Sequence, residues 1–130
     1  MPRLTTLATI AFITAAGMTA ACAADAGNAE AGEDVFKKCR ACHEAGSGAK
    51  NKVGPHLANL IGRKVGSVAD FKYSDANLAV GATGAVWSEV ELLKYLENPL
   101  VYMPKNKMAF AGLKDEQDRV DLLAYLKQLK

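Results

Sequence analysis

Apolar residues recur at helical spacing in separate stretches of this chain, and polar, Gly- and Pro-marked segments divide them. The clearest stretch closes the chain. Val120, Leu122, Leu123, Leu126 and Leu129 form a wide apolar side from about Asp115 to Lys130, with Asp115 placed as the N-cap and Lys127 and Lys130 at the basic end. A second helix begins at Ser88, where Ser88-Glu89-Val90-Glu91 reads as a capping box. Leu92, Leu93, Tyr95 and Leu96 give it an apolar face, and Pro99 ends it. A helix over about Asn28 to Cys42 starts on a capping Asn28, with Glu30, Glu33 and Asp34 early and Lys37, Lys38 and Arg40 late, as the helix dipole favours. Residues 44–58 are broken by Gly46, Gly48, Gly54 and Pro55 and read as loop. A short helix is expected around Asp75 to Leu78, and Val80 to Ala85 reads as a Gly-rich surface loop. No segment alternates like a strand. The pattern predicts a small all-α domain of about four to five short helices.

Ahead of this pattern lies a different one. Met1-Pro2-Arg3 is positive, Leu4 to Met18 is apolar and uncharged, and small residues follow around Ala21-Cys22-Ala23-Ala24. This predicts a cleaved secretory signal peptide over residues 1–24, a mature domain over 25–130 and an exported protein. The competing reading is a membrane tether, because Leu4 to Ala24 is just long enough to span; its richness in Ala, Thr and Gly favours cleavage. Cleavage would also remove Cys22, leaving no spare thiol for a wrong disulfide. With 130 residues, one domain is expected. The 16 Lys and Arg nearly balance 14 Asp and Glu, which argues against a nucleic-acid binder.

Chemistry concentrates in Cys39-Arg40-Ala41-Cys42-His43. Two cysteines three apart with a histidine after the second read as a c-type haem attachment site. On a helical turn the two thiols share a face and can meet the two vinyl groups of one haem, while His43 can ligate the iron from the proximal side. A redox dithiol would need a strand-to-helix context, and a zinc site would need further ligands; Cys22 and His56 are the only other Cys and His residues. A haem with one histidine needs either a second axial ligand or an open site. The candidates are Met103, Met108 and His56. The open-site alternative would be a haem enzyme or gas sensor.

From Gly32 to Lys130 the chain resembles a class I cytochrome c of the mitochondrial and bacterial c2 type. Gly32 and Phe36 match the Gly/Phe pair of that family's first helix, and Cys39 to His43 its haem motif. Gly54-Pro55-His56-Leu57 matches its Gly-Pro-x-Leu segment, which implies a hydrogen bond from His43 to the Pro55 carbonyl and an outward position for His56. The resemblance implies that Arg63, Tyr73 and Trp87 hydrogen-bond or neutralise the inner propionate, and that Tyr95 lies near the methionine sulfur. Lys107-Met108-Ala109-Phe110 matches the methionine loop, making Met108 the ligand and Met103 a packing residue. The last helix is expected to cross the first near Gly32.

Three departures stand out. Asn106 replaces a usual Thr that bonds a propionate, the loop between Asn77 and Trp87 is slightly long, and Leu100 and Val101 replace lysines of the docking face; Lys38, Lys52, Lys107 and Lys114 keep theirs. The resemblance thus implies a monomeric periplasmic one-electron carrier, not an enzyme, with one haem c on Cys39 and Cys42. Its implied partners are a quinol–cytochrome c oxidoreductase as donor and a terminal oxidase or photosynthetic reaction centre as acceptor.

Overall fold

The computed structural model describes residues 27–130; the predicted signal peptide and Cys22 lie outside them. Five helices follow in order: α1 (Ala29–Phe36), α2 (Asp75–Ala82), α3 (Glu89–Glu97), α4 (Pro99–Tyr102) and α5 (Glu116–Gln128). Strand-type pairing among the described residues is limited to one isolated antiparallel bridge, Lys64 to Val86. The fold is small and all-α, as the periodicity predicts.

The caps explain the starts. Asn28 accepts from the amides of Glu30 and Ala31, Ser74 from Asn77, Ser88 from Glu91 and Asp115 from Gln117. At Ser88 only half of the expected box forms, because Glu91 turns instead to Lys94 and the Tyr102 hydroxyl.

Two predicted boundaries are corrected. The first helix ends at Phe36, not Cys42; Lys37 to Cys39 continue with i→i−3 hydrogen bonds, a tighter winding. The second helix runs on to Ala82, so much of the expected surface loop at Val80 to Ala85 is helical. Its Gly81 is buried, and a Cβ there would lie 2.2 Å from the Val65 carbonyl oxygen, so only glycine lets the helix meet that backbone. Pro99 closes α3 and also opens α4 as its first residue, where a missing N–H costs nothing.

α1 and α5 pack against each other across the chain's two ends. At their crossing a Cβ on Gly32 would sit 2.0 Å from the Asp121 carbonyl oxygen, so the bare glycine sets how closely the helices approach. The Asn28 amide donates to the buried Asp121 carboxylate at 2.6 Å. Val35, Phe36, Leu122, Leu123 and Leu126 join Leu92, Leu96, Met103 and Leu113 in one core. That core is incomplete on one side, where the walls part around a cavity.

Candidate functional site

The cavity has a volume of about 330 Å³, and its wall includes Cys39, Cys42, His43, Pro55, Arg63, Tyr73, Trp87, Tyr95 and Met108. These are the nine residues assigned to the cofactor in the sequence, drawn from seven separate places along the chain.

The cysteine motif forms one turn. The amides of Cys42 and His43 both donate to the Cys39 carbonyl, at 3.1 and 2.9 Å, which brings residues 39, 42 and 43 to one side. Burial pushes the Cys39 thiol up to about 11, against the opposing pull of Lys38. A working redox dithiol needs a lowered thiol pKa, so this environment does not suit one. Among the described residues no three His, Cys, Asp or Glu side chains cluster to hold a metal ion.

His43 is oriented by its other nitrogen. Its Nδ1 lies 2.7 Å from the Pro55 carbonyl oxygen. A carbonyl only accepts, so Nδ1 carries the proton and donates, which leaves the Nε2 lone pair free. Burial is the largest influence on His43 and lowers its pKa, helped by the charges of Arg63 and Lys52 and opposed by the Pro55 bond. The ring is also boxed in sterically: a Cβ on Gly54 would lie 2.3 Å from its Cε1. Gly54 is held in place, its amide donating to the Cys42 carbonyl at 2.8 Å and its carbonyl accepting from Lys52 at 2.9 Å.

Across the polar end, Arg63 donates to the carbonyls of Ala58 at 2.7 Å and His56 at 3.0 Å. A guanidinium has five N–H donors, so capacity for an anion remains. Burial lowers the Arg63 pKa and raises that of Tyr73. The Tyr73 hydroxyl accepts from the Val68 amide at 3.3 Å and keeps its own proton to donate. Trp87 is buried and held to Arg63 by backbone bonding, its amide donating to the Arg63 carbonyl at 2.9 Å.

On the remaining wall the Tyr95 hydroxyl donates to the Met108 sulfur at 3.7 Å. Tyr95 stacks at a tilt on Trp87, centroids 4.8 Å apart, and edge-on to Tyr102 at 5.6 Å. This aromatic cluster fixes the hydroxyl that meets the sulfur. Met103, the other candidate, is 2% exposed in the core and absent from the cavity wall.

One sequence expectation needs correction. His56 is not simply outward: it is half-buried, and its Nδ1 is buried without a hydrogen-bond partner. At Asn106, which departs from the usual Thr, both Nδ2 donations go to the carbonyls of Pro99 and Met103. Ser74 and Asn77, not singled out in the sequence, also line the cavity, and Ser74 is there because it caps α2.

The donor set fits a covalently attached haem. Two thiols share one turn, an imidazole offers an oriented lone pair, a thioether lies in the same apolar enclosure, and Arg63 supplies positive charge. The volume lies within the roughly 300–1,000 Å³ of ligand pockets.

Comparison with known proteins agrees. The family model described as cytochrome c matches residues 29–130. A cytochrome c2 of Afifella marina is 52% identical over 97 residues, spanning 75% of this chain and 78% of that protein. Cytochrome c-550 of Ancylobacter novellus is 55% identical over 96 residues, spanning 74% of this chain and 90% of that protein. Among solved structures, a cytochrome c2 from Rhodospirillum centenum matches with a TM-score of 0.75 and 41% identity, covering 79% of this chain and 98% of the other.

Proposed function

The chain belongs to the cytochrome c family as a class I c-type cytochrome of the c2 type, and from that premise we propose that it is a soluble periplasmic carrier with His43 and Met108 as axial ligands. As a member of the family it carries electrons rather than turning over a substrate, and binds one haem c covalently through Cys39 and Cys42. The finer reading rests on one observation: the cavity that holds both cysteines and His43 also holds Met108, with the Tyr95 hydroxyl on its sulfur.

Bound haem supplies a one-electron Fe(III)/Fe(II) couple, which thioether ligation and an apolar pocket shift toward Fe(II). The chain does the rest. His43 presents Nε2 because Pro55 takes the Nδ1 proton. With Met108 as a ligand the iron would keep no open position for a substrate, which favours electron transfer over the haem enzyme or gas sensor. Arg63, Tyr73 and Trp87 would meet the propionate charge. His43, held by Pro55, and Met108, held by Tyr95, would keep rearrangement small on a change of oxidation state.

Diffusion between partners is the proposed working mode. Among the described residues no helix is long and apolar enough to cross a membrane. The proposed partners are a quinol–cytochrome c oxidoreductase and a terminal oxidase or photosynthetic reaction centre. The positive face is thin: Lys38 pairs with Asp118 at 2.9 Å, and Leu100 and Val101 are exposed. Steering by an acidic partner should therefore be modest and lose little with salt.

The test is Met108→Ala in haem-loaded protein. It should abolish the ferric iron–thioether charge-transfer band and lower the reduction potential; an unchanged band would refute the assignment. Mass spectrometry of the mature N-terminus checks residues 1–24: a start near Ala24 or Asp25 fits the diffusing carrier, and a start at Met1 supports the tether.

A further inference from the structure

One side chain holds the methionine loop from inside. Asn106 is 9% exposed. Its Nδ2 donates to the carbonyls of Pro99 and Met103, both at 2.8 Å, and its Oδ1 accepts from the Met108 amide at 2.8 Å. A carboxamide has two N–H donors, and both are used within the loop. The residue before it, Lys105, has a φ of +66°, a left-handed conformation that a side chain disfavours. Such a conformation persists only where surrounding contacts hold it. Asn106 supplies them on both sides, tying the start of α4 to the backbone of Met108.

We propose that Asn106 is a positioning residue for Met108: it fixes the loop so that the thioether stays at the iron, and makes no bond to the propionates. This rests on the reading of Met108 as the sixth ligand. A ligand on a loop competes with an external one according to its effective concentration at the metal. The bonds from Asn106 keep that concentration high. Lys105 makes the loop prone to open, so losing the bonds should release the sulfur without unfolding the rest.

The experiment is imidazole titration of ferric, haem-loaded protein in the wild type, Asn106→Leu, Met108→Ala and the double variant. Asn106→Leu should tighten apparent imidazole affinity by about tenfold, equivalent to about 1.4 kcal/mol or one to two net hydrogen bonds, and weaken the thioether band. Met108→Ala should tighten it at least as much, and the double variant should match Met108→Ala. Should Asn106→Leu not assemble, Asn106→Asp is measured instead. It keeps an acceptor for the Met108 amide but loses both donations, and should shift affinity in the same direction. Unchanged affinity with only a lower thermal midpoint would overturn the proposal, leaving Asn106 a packing role. An Asn106→Leu effect that persists in full without Met108 would also overturn it, by placing its action elsewhere. If Met108→Ala itself leaves affinity unchanged, the ligand assignment fails first and this proposal with it.

Discussion

Replacing Gly54 by alanine tests how tightly the protein holds its proximal histidine. The added Cβ would lie 2.3 Å from Cε1 of His43 and 2.7 Å from both ring nitrogens. Carbon contacts settle at about 3.5 Å or more, so ring or loop must yield by about 1.2 Å. Neither yields freely. The ring is bonded to Pro55 at 2.7 Å, and Gly54 is bonded through both its amide and its carbonyl. Overpacking of this kind typically costs about 1–3 kcal/mol. At about 2 kcal/mol the thermal midpoint falls by about 8–16 °C for a domain of this size. The potential should move as well. Without the Nδ1–H donation to Pro55 the imidazole is less basic and stabilises Fe(III) less, so the potential rises. One net hydrogen bond of about 0.5–1.5 kcal/mol sets an upper limit of about 20–65 mV. Thermal melts and potentiometric titration of ferric protein measure both. Gly48→Ala is the control: φ is +76° and nothing lies within 4 Å of its Cβ position, so it should lose only about 1 kcal/mol and leave the potential unchanged. A Gly54→Ala protein that matches this control in midpoint and potential would refute the trapped-ring argument.

Met103→Ala should cost about 2–5 kcal/mol, because a side chain 2% exposed leaves a cavity, yet the thioether band should survive; denaturant melts and the ferric spectrum check this, and a lost band would make Met103 the ligand. Burial raises Tyr95 from its ordinary 10.0 to about 12. The folded state therefore holds this proton more tightly, and the stability tied to it is complete below pH 10 and lost as pH rises toward 12. Tyr95→Phe should flatten that part of the decline, measured as denaturation midpoints across the window; an unchanged slope would exclude Tyr95 as its source.

The sequence revealed the helices that carry their own signals. Asn28, Ser88 and Asp115 announce the starts of α1, α3 and α5, and the leucines of α5 mark its buried side. It was less informative where distant backbone decides. α2 extends past Leu78 because Gly81 fits against Val65, a contact no local pattern reveals. α4 was hidden because Pro99 ends one helix and starts the next. The site residues could be named from the haem motif and family resemblance, and so could the bond from His43 to Pro55 and the closeness of Tyr95 to the methionine sulfur; the bonds of Asn106 could not. Asn106 stood out only as a departure from the usual Thr; that its Nδ2 donates to the carbonyls of Pro99 and Met103 depends on how α4 folds back.

The crossing of α1 on α5 also bears on the order of assembly. The bond from Asn28 to Asp121 spans 93 positions, so the first of the described helices finds its partner only in the last. Until α5 is available, α1 lacks the partner that covers its apolar side. Cys39 and Cys42 emerge just behind it, on a chain that cannot yet close. Haem attachment ahead of that closure would find two accessible thiols, before the folded cavity buries Cys39 and raises its pKa.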